Sequence, residues 1–149
     1  MKNLKEREEV IEFSIKLNTT NLSPLRSGNI SVRGIENDVE GFFITPSGKK
    51  YETLTPEDIV FLSLSEEKDF LSWFNSGKNP SSEWRFHQDI YKNKWEAKAI
   101  VHAHSLHATA VSTHGKSIPP FHYMIALAGG EDIRCSEYAT FGTHELSTN

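Results

Sequence analysis

The run Ile100-Val101-His102-Ala103-His104-Ser105 constrains the fold more than any other stretch of this chain. β-Branched and small residues alternate here with histidine, which predicts a short buried strand. Side chains on a strand alternate between faces, so His102 and His104 share one face and Val101 and Ala103 share the other. Two imidazoles placed this way form half a metal site without any loop folding around an ion. Zinc at a catalytic site takes about three protein ligands and leaves one position open. The same spacing suits two core histidines satisfied by hydrogen bonds, and the strand alone does not choose between the readings.

The 149 residues suffice for one domain with a real core. The net charge of -4 comes from interspersed acidic and basic residues. With no basic stripe, nothing points to nucleic acid, and with no long acidic run, nothing points to a disordered tail. Cys135 is the only cysteine, which rules out an intrachain disulfide and makes a reducing, cytoplasmic setting the expectation. The charged start, Lys2 to Glu9, is unlike a signal peptide. No apolar run approaches the ~20 residues of a membrane span.

Leu4 to Leu17 predicts an amphipathic helix, with Leu4, Val10, Ile11, Phe13, Ile15 and Leu17 as its apolar positions. Ile30 and Val32 alternate with Ser31 and Arg33, which predicts a half-buried strand entered through Gly28 and Asn29. Gly28-Asn29 is also a common simple turn, and local sequence favours that reading. Phe42-Phe43-Ile44 predicts the next strand, reached through a turn at Asn37-Asp38. Thr45-Pro46-Ser47-Gly48 is a turn whose hydroxyls and open N–H groups suit phosphate oxygens. Thr55-Pro56-Glu57-Asp58 predicts a short helix start, and Ile59 to Leu62 a strand. Residues 65–77 read as a surface excursion in which Phe70, Leu71, Trp73 and Phe74 contact the core or a partner subunit.

Ser81-Ser82-Glu83-Trp84 opens the clearest helix, running to about Lys94, with Ser82 as N-cap and Glu83 in the first turn. Trp84, His87 or Gln88, and Tyr91 fall along one face. Free N–H groups at a helix start attract anions, so Ser81 and Ser82 are candidate phosphate ligands. Glu83 reads either as a carboxylate that favours the helix N-terminus or as a metal ligand and general acid/base. Ser105 to Thr113 predicts a further helix, stopped by Gly115. His122-Tyr123 precedes an apolar run to Ala128, and Tyr138 to Thr143 is a loop. Thr143-His144-Glu145-Leu146 resembles a helix start just before the chain stops at Asn149, which leads to the expectation of a front part of a longer protein.

Taken together, these segments resemble the class II aldolase/adducin family. The resemblance rests on Gly28 to Arg33, Ile44 to Gly48, Leu54 to Val60, Pro80 to His87, Ile100 to His104, Ile118-Pro119, His122 to Ile125 and Tyr138 to Thr143, all in family order. It implies an α/β fold of three layers, with a central, mostly antiparallel sheet flanked by helices. It implies a homotetramer with active sites between subunits. It implies a zinc-dependent aldolase that cleaves a deoxyketose 1-phosphate, of the L-fuculose 1-phosphate type, to dihydroxyacetone phosphate and a hydroxyaldehyde. By resemblance, His102, His104 and Glu83 are the metal ligands, and Glu83 is also the acid/base. Gly28, Asn29, Ser47, Gly48, Ser81 and Ser82 are the phosphate ligands. Tyr123 and Phe141 are the catalytic-site residues that place the aldehyde and stabilise the transition state.

Two departures accompany the match. The family's third zinc histidine and a C-terminal tyrosine lie in later segments that these 149 residues do not include. Arg26 stands where a small hydroxyl residue lies near the aldehyde. The alternatives are a related sugar-phosphate epimerase or dehydratase on the same metal site, or an inactive truncated or adducin-like module. Ser-Ser-Glu at 81–83 speaks against the pentose epimerases, and the presence of His102, His104 and Glu83 speaks against a module without metal.

Overall fold

Asn37 and Asp38 both adopt positive φ, 52° and 64°. Such a two-residue turn matches the twist of the strands it joins and favours these residue types. It closes a hairpin between β1 (Asn29–Glu36) and β2 (Val39–Ile44). The computed structural model describes residues 2–65, 73, 77 and 79–149. Val60–Ser63 (β3) pairs antiparallel with β2, and Ala99–His102 (β4) pairs antiparallel with β1. The resulting sheet has the order β3-β2-β1-β4.

The sheet is buried on both faces at its centre because β2 carries apolar side chains in both directions. Phe42, Phe43 and Ile44 are all fully buried. Phe43 turns towards α1 (Leu4–Thr19) and packs with Val10 and Ile59. Phe42 and Ile44 turn the other way and pack with Val60, Leu62, Trp73 and the residues Trp84 and Tyr91 of α2 (Trp84–Asn93). This gives helix, sheet, helix: the three-layer architecture that the sequence leads one to expect. Two further helices, α3 (Leu106–Ser112) and α4 (His144–Thr148), follow β4. Among the described residues no helix is long and apolar enough to cross a membrane.

Several local expectations change. The buried stripe of α1 is Arg7, Val10, Ser14 and Leu17, whereas Phe13 is 47% exposed. Arg7 is admitted because its two terminal nitrogens meet Glu36 at 2.7 Å and the carbonyls of Pro56 and Ile59, leaving only Nε buried without a partner. The histidine strand is an edge strand, not a buried one. Among the described residues it has a neighbour only in β1, Val101 is 54% exposed, and His104 lies just past the strand's end. α2 begins one residue later than expected, with Glu83 rather than Ser82 at the N-cap. Most of the 65–77 excursion, including Phe70, Leu71 and Phe74, lies outside the described residues. Trp73 is a core residue, 2% exposed and set edge-on to Trp84 at 6.1 Å.

Candidate active site

The site grows from two periodicities that meet. On β1, Asn29 and Ser31 point to the same face. On the other side, Glu83, His87 and Tyr91 follow one another at intervals of four along the start and body of α2, so they form a stripe. Each strand residue bridges two steps of that stripe. Asn29 donates from Nδ2 to Glu83 Oε2 at 2.7 Å, and its Oδ1 meets His87 Nε2. Ser31 Oγ lies 2.7 Å from His87 Nδ1 and 2.9 Å from the Tyr91 hydroxyl. Asn29, Ser31, His87 and Tyr91 are all at most 4% exposed. Burial holds the His87 imidazole down at about 3, with His102 nearby adding to the effect, so the ring is neutral. Burial likewise raises the Tyr91 phenol to about 12.

The same Glu83 oxygen that accepts from Asn29 also faces the histidine pair. Glu83 Oε2 is 3.3 Å from His102 Nε2, which in turn is 2.9 Å from His104 Nε2. The two imidazole rings stand edge-on, 4.7 Å apart. Phe86, one turn of α2 from Glu83, packs on His102 at 5.2 Å. The backbone N–H of His104 donates to Ser23 Oγ at 3.1 Å, which holds the segment beyond β4 in place. Burial lowers the basicity of His102, opposed by the Glu83 carboxylate and reinforced by His104. A neutral imidazole is the form that binds metal.

A polar cavity of about 220 Å³ opens beside Glu83. Gly28, Asn29, Ser47, Gly48, Ser81 and Ser82 all line it, so the six predicted phosphate residues share one wall. They converge because the 45–47 segment runs against 79–81. Ser47 N–H donates to the Asn79 carbonyl at 2.8 Å, and Ser81 N–H donates to the Thr45 carbonyl at 2.9 Å. Gly48 has φ of 77°, a conformation that L side chains resist. Arg26 and Lys49 add positive charge to the lining, with Lys49 held by Asp58. Tyr51 closes the floor, its hydroxyl donating to the Gly28 carbonyl. Glu83 lines this cavity, and its carboxylate also reaches the histidine pair.

Tyr123 and Phe141 are not among the residues lining this cavity. Tyr123 is 80% exposed with its ring against His122, and Phe141 is 71% exposed. Gly142, the neighbour of Phe141, lies close to the Ser82 backbone. His87, Ser31 and Tyr91 escaped the sequence reading as site residues. The available signal was the interval of four from Glu83 to His87 to Tyr91, facing an i, i+2 pair of polar residues on β1.

A profile of the class II aldolase and adducin N-terminal domain matches residues 8–149. The chain belongs to that family. L-Fuculose phosphate aldolase of Escherichia coli K12 is 44% identical over 99% of this chain and 64% of its own length. The 5-methylthioribulose-1-phosphate/5-deoxyribulose-1-phosphate aldolase of Rhodospirillum rubrum is 43% identical over 95% of this chain and 59% of its own length. The chain therefore spans less than two thirds of these relatives. Among solved structures, an L-fuculose 1-phosphate aldolase superposes with a TM-score of 0.83 and 34% identity, covering 99% of this chain and 66% of that one.

Class II aldolases as a family are metal-dependent, and the donors of this chain can be tested for fit. Among the described residues no group of three or more His, Cys, Asp or Glu side chains is arranged to hold an ion outright. The chemistry of the partial set suits zinc: two imidazole nitrogens and a carboxylate oxygen. Two nitrogens on one tetrahedral zinc, each at ~2.0–2.1 Å, stand about 3.3 Å apart. The observed 2.9 Å between His102 and His104 is thus a few tenths of an ångström short of that spacing.

Proposed function

We propose that this chain carries the substrate and metal sites of a zinc-dependent aldolase that cleaves a deoxyketose 1-phosphate to dihydroxyacetone phosphate and a hydroxyaldehyde. One observation carries the reading. Glu83 joins a hydroxyl-rich, partly cationic cavity to the histidine pair, its Oε2 lying 3.3 Å from His102 Nε2. A phosphate handle in the cavity and a metal at the histidines would bracket a substrate whose reacting carbon lies next to the carboxylate.

His102, His104 and Glu83 would hold the ion. When bound, zinc supplies a Lewis acid for the negative charge that C–C cleavage beside a ketone creates. The remaining work falls to the chain. Gly28, Asn29, Ser47, Gly48, Ser81 and Ser82 grip the phosphate far from the reacting bond, so binding energy is turned into orientation. Cleavage takes a proton from the hydroxyl that becomes the aldehyde and delivers one to the carbon left behind. Glu83 Oε2 takes the proton from that hydroxyl and delivers it to that carbon, so the carboxylate is restored at the end of the turnover. Tyr123 and Phe141 place the aldehyde, a role supported by their family positions. The exposed Phe121, Tyr138 and Phe141 suit burial against further protein surface, in keeping with a homotetramer that works in the cytoplasm.

Two relatives with different substrates lie within one per cent of each other in identity, 44% and 43%. Identity therefore does not choose the aldehyde. The deciding assay gives zinc-loaded protein L-fuculose 1-phosphate and 5-methylthioribulose 1-phosphate in parallel and follows dihydroxyacetone phosphate. Release from either substrate, lost in Glu83→Gln, supports the reading. Epimerisation or dehydration without carbon–carbon cleavage would replace it.

A further inference from the structure

We propose that His87, itself set by Ser31 and Tyr91, is a positioning residue for Glu83 that acts through Asn29. The proposal rests on the aldolase reading of Glu83. Its starting point is the direction of each hydrogen bond. The group Asn29 presents to Glu83 Oε2 at 2.7 Å is its NH2, donating to the carboxyl oxygen. That fixes the opposite edge of the amide, Oδ1, towards His87 Nε2. An amide oxygen only accepts, so His87 carries its proton on Nε2.

With Nε2 protonated in a neutral ring, Nδ1 is a bare acceptor. Ser31 Oγ, 2.7 Å away, must donate to it. Having spent its proton, the Ser31 oxygen accepts from the Tyr91 hydroxyl at 2.9 Å. Every donor from Tyr91 to Glu83 is thereby committed to one direction: Tyr91 to Ser31, Ser31 to His87, His87 to Asn29, Asn29 to Glu83. Tyr91, Ser31, His87 and Asn29 are all at most 4% exposed, so water does not offer these four an alternative.

The consequence is local and specific. An amide flip at Asn29 would turn an oxygen against the Glu83 carboxylate, and His87 opposes that flip because its tautomer and the Ser31 hydroxyl would both have to reverse. Glu83 is held on the side where it meets His102. Without His87 the Asn29 amide loses one of the two partners that set its direction, and the carboxylate's donor is held less firmly. Partners of this kind behind a metal or acid/base residue typically matter by about 10- to 100-fold.

The test uses the 149-residue chain labelled with 15N. Ring-nitrogen spectra at pH 7 report the tautomer directly. The expected result is a neutral His87 with its proton on Nε2, and a proton on Nδ1 or on both nitrogens overturns the proposal. The second readout is the Asn29 side-chain NH2. It should be protected from solvent exchange in the native chain and in His87→Gln, because Gln places an NH2 donor at the reach of Nε2. In His87→Phe it should exchange about tenfold faster or more, and unchanged protection there overturns the proposal. In the cleavage assay His87→Phe should lose about 10- to 100-fold in kcat with KM nearly constant, and His87→Gln should recover most of it. A change confined to KM counts against the proposal. If the native chain cleaves no sugar phosphate, the aldolase reading falls. The tautomer and the Asn29 exchange then still decide whether His87 sets the amide. A His87→Phe chain that does not fold leaves the native tautomer measurement as the deciding one.

Discussion

His102 Nε2 and His104 Nε2 lie 2.9 Å apart, closer than two nitrogens bound to one zinc ion and facing one another. A cation between them would exchange one hydrogen bond for two coordinate bonds with little movement of either ring. We therefore expect the chain to retain zinc after dialysis against zinc-free buffer. His102→Ala and His104→Ala should each abolish that retention, because a single imidazole with one carboxylate is a poor zinc site. Elemental analysis of zinc per chain checks this.

Glu83→Gln should preserve the fold and remove the proposed acid/base. Gln keeps the shape and still accepts from Asn29 Nδ2 through its carbonyl oxygen. The proton can no longer be held, so kcat for cleavage should fall by about 10²- to 10⁴-fold. Steady-state kinetics, with circular dichroism to verify folding, makes the comparison.

Stability should fall in acid, and His87 gives the sign. Its imidazole is held at about 3 in the folded chain, against an ordinary value near 6.5. Below about pH 6.5 the unfolded chain takes up a proton that the folded chain refuses. The stabilisation is complete above that pH and declines by about 1.4 kcal/mol per unit as pH falls towards 3. Urea unfolding midpoints between pH 7 and pH 4 should show this slope, and His87→Gln should flatten it.

Gly28→Ala should be costly for a small change. A Cβ at Gly28 would collide with the His102 carbonyl oxygen and crowd Ser23 Oγ. Forcing a methyl group into such a contact costs about 1–3 kcal/mol. The displaced backbone belongs to β4, so zinc retention should weaken along with thermal stability. Calorimetry and zinc titration on the same sample test the pairing.

The turn at Asn37-Asp38 and the short helix start at Thr55 to Asp58 were legible in the sequence, because each is a local event with a local chemical signature. The histidine pair and the Ser-rich turns were legible for the same reason. What the sequence hid lies between elements. Ser31 alternates with Ile30 and Val32 as a solvent-facing residue would, yet α2 covers it completely. Alternation records polarity and cannot report what packs opposite. Arg7 and Ser14 misled in the same way on α1, where a salt bridge and a backbone hydrogen bond make burial tolerable. Tyr123 and Phe141 sit in stretches with no strand or helix periodicity, so nothing local fixed their surroundings.

Asn29 pairs with His102 in neighbouring strands, and Gly28 packs on the His102 carbonyl too closely for any larger residue. The turn that would hold a substrate's handle and the strand that would meet its reacting end are thus joined rung to rung. The distance between them is quantised. It changes only by whole pleats, ~3.4 Å at a time, and a single such step would turn both histidines to the opposite face. A lineage built on this scaffold can vary what hangs from the far end of its substrate, while the length from handle to breaking bond stays ruled into the backbone like marks on a gauge.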